Sequence, residues 1–130
     1  RQRGRGPGKR LSAYLRWQHT WAPQSKALKE RERKGLPVPP AFKAVPPLQR
    51  GDSEYLYAFG ILSEARQMGF SSALPIALGE IRAYIEGFTD LETLSARRHF
   101  LKMVKTLDGT WLDIQAKRAP PTPPAAPKPR

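Results

Sequence analysis

The side chains that could carry out chemistry in this chain are few, and their spacing does not combine them. Its two histidines, His19 and His99, lie far apart, and neither has a companion at metal-ligand spacing. Glu80 and Glu86 are six residues apart, and Asp108 and Asp113 are five apart. Neither separation puts two carboxylates together on a helix face, as acid–base work by a pair would need. There is no Gly-x-Ser-x-Gly elbow, and the absence of cysteine removes thiolate nucleophiles, thiolate metal sites and disulfides. Gly4-Arg-Gly-Pro-Gly8 has the glycines of a phosphate loop, but it follows no strand and precedes no Gly-Lys-Ser/Thr. The expectation is a protein that is not an enzyme and uses no metal or cofactor.

If the side chains do not react, the charge distribution becomes the informative feature. Residues 1–50 carry thirteen Lys/Arg against two Asp/Glu, residues 51–115 six against nine, and residues 116–130 four against none. The net charge of +12 therefore sits outside the segment that holds nearly all the amphipathic pattern. No run of about 18 apolar residues exists, so no membrane span is expected. About 65 residues look foldable, which makes one small domain of marginal stability that partner binding or oligomerisation would support. The N-terminus lacks the apolar stretch of a secretion signal, and the first residue is not Met.

The expected fold class is all-α. The pattern predicts a three-helix core over about 52–69, 77–87 and 90–115, with an N-terminal helical extension and disordered ends. In domain terms, 1–9 is a disordered Arg/Gly-rich basic arm and 10–35 a helical extension interrupted at Pro23. Residues 36–50 form a Pro-rich linker that could lie along the module, 51–116 the helical domain, and 117–130 a Pro-rich tail. Eleven of the 14 prolines fall in 37–47 and 120–129, which marks both as extended.

Individual helices have readable starts and stripes. Asp52 or Ser53 is expected to cap the first core helix, with Tyr55, Ala58, Phe59, Leu62 and Ala65 as its stripe, widened by Ile61 and Met68, and Gly69 as its stop. Leu78, Ile81 and Ile85 share a face of the second. Thr89 and Glu92 read as a capping box for the third, whose apolar run is Leu91, Leu94, Phe100, Met103, Val104, Leu107, Trp111 and Ile114. Gly109 inside that run suggests a kink or a close helix contact.

The stretch Tyr55-Leu-Tyr-Ala-Phe-Gly-Ile-Leu-Ser-Glu-Ala-Arg-Gln-Met-Gly-Phe70, followed by Leu74-Pro-Ile76, Glu80-Ile-Arg-Ala-Tyr84 and Leu107-Asp-Gly-Thr-Trp-Leu112, resembles small phage and prophage proteins of the tail-assembly-chaperone type. These are encoded between the major tail protein and the tape measure. The likeness spans roughly residues 25–115 and departs from the pattern at Ala77-Leu78-Gly79, where Pro-Trp-Ser is usual. It implies a non-catalytic helper in the cytoplasm of a bacterial host, with the tape measure and tail-tube subunits as partners. A chain beginning at Arg1 would suit a frameshift extension of a shorter product.

On this reading Phe59, Leu62, Ile81, Tyr84, Leu107, Trp111 and Leu112 form the core. Arg66 and Asp108, charged on largely apolar helices, are candidates for a buried pair; the alternative is that both face water. Candidate partner-binding residues are the aromatics outside the regular stripes: Trp17, Trp21, Phe42, Phe70 and Phe88. Candidate basic contacts are Lys26, Lys29, Arg31, Arg33, Lys34, Arg97 and Arg98, which could steer an acidic partner or touch phosphate. Two rival readings remain open: a nucleic-acid-binding phage protein acting through its basic arms, and a structural subunit built into the virion.

Overall fold

Pro7 occupies the first turn of the first helix, where its missing N–H leaves no hydrogen bond unmade and its fixed φ suits the helix. The computed structural model describes residues 6–66 and 73–118. Helix α1 is Pro7–Trp21, and Pro23 then forces a 3₁₀ turn, Ala22–Gln24, before α2, Ser25–Arg33. Gly35, at φ 78°, turns the chain out of α2. A single turn, α3, covers Pro40–Lys43 inside the segment expected to be extended throughout. The remaining helices are α4, Asp52–Glu64, α5, Leu78–Phe88, and α6, Leu94–Arg118. The all-α class is as expected, with no strand among the described residues.

Several expected boundaries move. Residues 7–9, assigned to the basic arm, are the first turn of α1. Helix α4 stops at Glu64, and Met68 and Gly69 lie outside the described residues, as do 1–5 and 119–130. Helix α6 begins at Leu94 rather than 90 and continues to Arg118. The Thr89–Glu92 capping box does not form, because the Thr89 hydroxyl donates to the Ile85 carbonyl at 2.6 Å and so belongs to the end of α5. The Thr93 hydroxyl starts α6 instead, accepting the Ala96 N–H at 3.0 Å.

Side-chain contacts fix the helix directions. Ser12 bonds Thr110, Arg16 bonds Asp113, and Arg118 reaches the His19 carbonyl, so α1 and α6 run the same way. Tyr55 packs on Phe100 and Arg66 pairs with Asp108, so α4 also runs with α6. Helix α5 runs opposite: Ile76, just before it, meets Asp108, while Tyr84 stacks with Phe100. Three helices thus point one way, with α5 returning the chain between α4 and α6.

Helix α6 is the spine. Its Phe100, Met103, Val104, Leu107 and Ile114 are buried at three-, one- and seven-residue steps along one face. Ala58, Phe59 and Leu62 of α4 and Ile81, Tyr84 and Ile85 of α5 meet this face. Leu11 and Leu15 of α1 are buried in the same cluster, so the segment read as an extension supplies a fourth helix to the core. Other stripe residues differ from expectation. Ile61, Leu78 and Leu94 are exposed, as is Ala65, while Trp111 and Leu112 are only half-buried.

Asp52 does not cap its own helix. Gly51, at φ 90°, makes the turn into α4, and the Asp52 carboxylate instead accepts Arg10 Nε and Nη2 at 2.9 and 3.0 Å and the Gln49 N–H at 2.9 Å. This pair ties α1 to the start of α4. The Arg10 guanidinium holds the Asp52 carboxyl below its ordinary value, and Asp52 raises Arg10.

Because Asp52 is depressed when folded, its stabilisation is complete above the unfolded value, about 4, and disappears as pH falls through the folded value. Thermal melts should therefore show a midpoint that drops on acidification below pH about 4, and Asp52→Asn should lower the midpoint at pH 7 and flatten that acid limb. Gly109 is exposed, and a Cβ there would meet nothing within 4 Å, so neither a kink nor a close contact requires it. Gly109→Ala should stabilise the chain by about 1 kcal/mol in denaturant titrations, the helix-propensity difference alone.

Candidate functional site

Among the described residues, the short Arg66–Asp108 contact is the most deeply buried ion pair. Arg66 Nη1 lies 2.6 Å from Asp108 Oδ1, and the two side chains are 2% and 3% exposed. The other carboxylate oxygen accepts the Ile76 N–H at 2.9 Å. Arg66 also donates to the Leu74 carbonyl at 2.9 Å and to the Ser63 hydroxyl at 3.1 Å. Its guanidinium carbon sits 4.0 Å from the centre of the Trp111 ring, at cation–π range. These contacts gather the end of α4, the approach to α5 and the middle of α6. The pair is an architectural device: Asp108 and the two terminal nitrogens of Arg66 are turned on each other, on backbone and on Ser63, while the buried Arg66 Nε has no hydrogen-bond partner among the described residues. Asp113, by contrast, lies at the surface between Arg16 at 2.9 Å and Lys117 at 3.2 Å, and these cations lower its pKa.

Three of the five candidate partner-binding aromatics meet one another. Phe42 is buried, stacked against Trp17 at 6.1 Å and edge-on to Trp21 at 5.7 Å. Trp17 Nε1 donates to the Ala41 and Phe42 carbonyls, both at 3.3 Å. The cluster docks α3 onto α1 and is internal packing, so Phe42 is not available to a partner. Sequence could not show this, because it requires a Pro-flanked turn to fold back over α1. Phe70 lies outside the described residues.

Phe88 behaves differently. It is 74% exposed at the end of α5, stacked on Tyr84 at 5.1 Å. It lines an open cleft of about 750 Å³ between the end of α5, the start of α4 and the start of α6. Tyr57, 65% exposed, lines the same cleft, and Phe100 and Leu91 form part of its lining. Glu54 and Asp90 supply carboxylates at its rim. Burial, with smaller contributions from Tyr57 and Glu54, raises the Tyr84 hydroxyl's pKa. Tyr57 was missed in the sequence because it sits in a continuous apolar run. The signal was present, since Tyr57 falls off the helical stripe of Tyr55, Ala58, Phe59 and Leu62.

The basic candidates divide. Arg31 donates to the Pro37 carbonyl at 3.1 and 3.0 Å, closing the turn after α2. Arg33 and Lys34 pair with Glu30, and Arg97 donates to the Leu91 carbonyl at 2.8 Å. Lys26, Lys29 and Arg98 are exposed. His19 is half-buried beside Arg118, and burial first, then that cation, lowers its pKa. His99 is exposed, edge-on to Tyr55. Among the described residues no group of three His, Asp or Glu could hold a metal ion, and no helix is long and apolar enough to cross a membrane.

Removing one partner of the buried pair leaves the other charge stranded. Arg66→Met or Asp108→Asn should each cost about 3–5 kcal/mol in chemical denaturation. The double variant Arg66→Met/Asp108→Leu should recover much of that loss. A double loss equal to the sum of the two single losses would show that the two charges do not act as a pair. No family model, no curated protein and no solved structure matches this chain.

Proposed function

We propose that this chain is a non-catalytic binding module that holds an amphipathic helix of a partner, in the manner of a phage tail-assembly chaperone. The observation that carries the reading is the aromatic cleft, where Phe88 and Tyr57 stand largely exposed beside each other's lining residues. An isolated exposed aromatic is ordinary, but two on one concave surface form the kind of patch that marks a protein interface. Leu94, 62% exposed, begins α6 close by in sequence to the cleft residue Leu91. A helix that presents apolar residues at three- and four-residue steps fits such a surface.

The sequence resemblance supplies the identity of the client: the tape measure, with tail-tube subunits as further partners. The acidic rim, Glu54 and Asp90, favours a client helix with Lys or Arg beside its apolar stripe.

Fluorescence anisotropy of a labelled amphipathic helix from a tape-measure protein tests this. The full chain should bind it, and Phe88→Ala should weaken binding roughly tenfold or more, as loss of an anchor aromatic does. Phe88 is exposed, so its replacement leaves the fold intact by circular dichroism. Apolar capture should persist as salt rises. No binding of the helix, together with duplex DNA binding that collapses between about 50 and 200 mM salt, would reverse the assignment in favour of nucleic acid.

A further inference from the structure

We propose that the outer face formed by α1 and α6 binds the phosphate backbone of duplex DNA, through Lys9 and Arg16 on one helix and Arg98, Lys102 and Lys105 on the other. The inference stands apart from the proposed client, since the groove in this face shares no lining residue with the aromatic cleft.

Placement is the first argument. Helices α1 and α6 run side by side in the same direction, and an open groove of about 430 Å³ follows their seam. Gly8, Lys9, Ser12, Ala13, Arg16 and Thr106 line it. A Cβ added at Gly8 would meet Thr106 at 3.4 Å, which sets Lys9 just beyond the level of Thr106. Arg98, Lys102 and Lys105 are exposed at four- and three-residue steps, a single stripe of α6 that leads up to that level. Arg16 and Lys117 continue the line on the far side, both held on Asp113. From Arg98 to Lys117 the cations follow about 28 Å of helix, the length of roughly eight base pairs.

Charge is the second argument. Helix α1 has no Asp or Glu, and α6 has only Asp108, buried on Arg66, and Asp113. Every other Asp and Glu of the chain lies on α2, α4, α5 or the loop before α6. Among the described residues Lys9, Arg98, Lys102 and Lys105 enter no ion pair, so their charge is uncompensated.

The third argument separates duplex DNA from other polyanions. A protein interface needs an aromatic or apolar anchor at its centre and is poor in lysine, whereas this groove is lined by no Phe, Tyr, Trp, Leu, Ile or Val. Single strands stack their bases on aromatic rings, which the groove also lacks. Duplex RNA is recognised through its 2′-hydroxyls. The hydroxyls of the seam are engaged already, Ser12 with Thr110 at 2.7 Å and Thr106 on the Lys102 carbonyl at 2.9 Å. Lysine and arginine ends remain, which suit phosphates and carry no base preference.

Fluorescence anisotropy of the full chain with a labelled duplex of about 20 base pairs, titrated at several salt concentrations, tests this. Lys102→Gln/Lys105→Gln should weaken binding at least tenfold at about 100 mM salt and flatten the salt slope by about two. Both lysines are exposed and glutamine is as good a helix former, so the fold survives. Lys26→Gln/Lys29→Gln removes the same charge from exposed positions of α2 and should leave the slope unchanged. Asp113→Asn frees Arg16 and Lys117 and should tighten binding several-fold. Phe88→Ala, which tests the client cleft, should leave DNA binding as it is. No DNA binding, an equal loss in the α2 variant, a weaker complex with Asp113→Asn, or tighter binding of polyglutamate or duplex RNA than of DNA would each overturn the proposal.

Discussion

Burying an arginine and an aspartate together constrains every helix they touch. An isolated charge in an apolar interior is too costly to keep, so Arg66 and Asp108 must stay within reach of each other and of enough polar partners. The chain meets this demand with backbone groups at both ends of one short stretch: the Leu74 carbonyl takes Arg66, and the Ile76 N–H gives to Asp108. That fixes where the chain leaves α4 and where it enters α5. The ring of Trp111 covers the guanidinium, which explains why a residue of the expected core is only half-buried.

The shared direction of α1, α4 and α6 sets a second constraint. Aligned helices place like dipole ends together, which is unfavourable without compensating charge. Asp52 and Glu54 supply that charge at the start of α4, and Arg118 and Lys117 at the end of α6. The Arg10–Asp52 pair therefore does two things at once, joining α1 to α4 and offsetting the helix start. On the α1–α6 seam small polar residues allow close approach, with Ser12 and Thr110 sharing a hydrogen bond at 2.7 Å.

How the aromatics are distributed separates structure from surface. Phe42, Trp17 and Trp21 are spent on docking α3 and the linker against α1. Tyr55, Tyr84 and Phe100 stack through the interior near the start of α6. Phe88 and Tyr57 remain on the outside of that stack, so the cleft has a rigid aromatic floor and accessible walls. The carboxylates Glu54 and Asp90 at its rim belong to the slightly acidic segment of the sequence.

Local signals in the chain were sufficient for the all-α class, the break at Pro23 and the three helices from Asp52 onward, because periodic apolar residues and proline act over a few neighbours. Two charged residues on apolar stripes marked Arg66 and Asp108 as candidates for one another. What local pattern could not decide was which stripe faces which. Leu11 and Leu15 lie in the segment expected to be a helical extension outside the three-helix core, yet α6 is long enough to receive α1 as well as α4 and α5. Thr89 was a plausible cap until α5 claimed its hydroxyl, and Asp52 until Arg10 claimed its carboxylate. Phe42 and Phe88 have similar sequence surroundings of loop and helix end, but one is covered and the other bare. Burial is a property of what arrives from elsewhere in the chain, and only the assembled helices determine that.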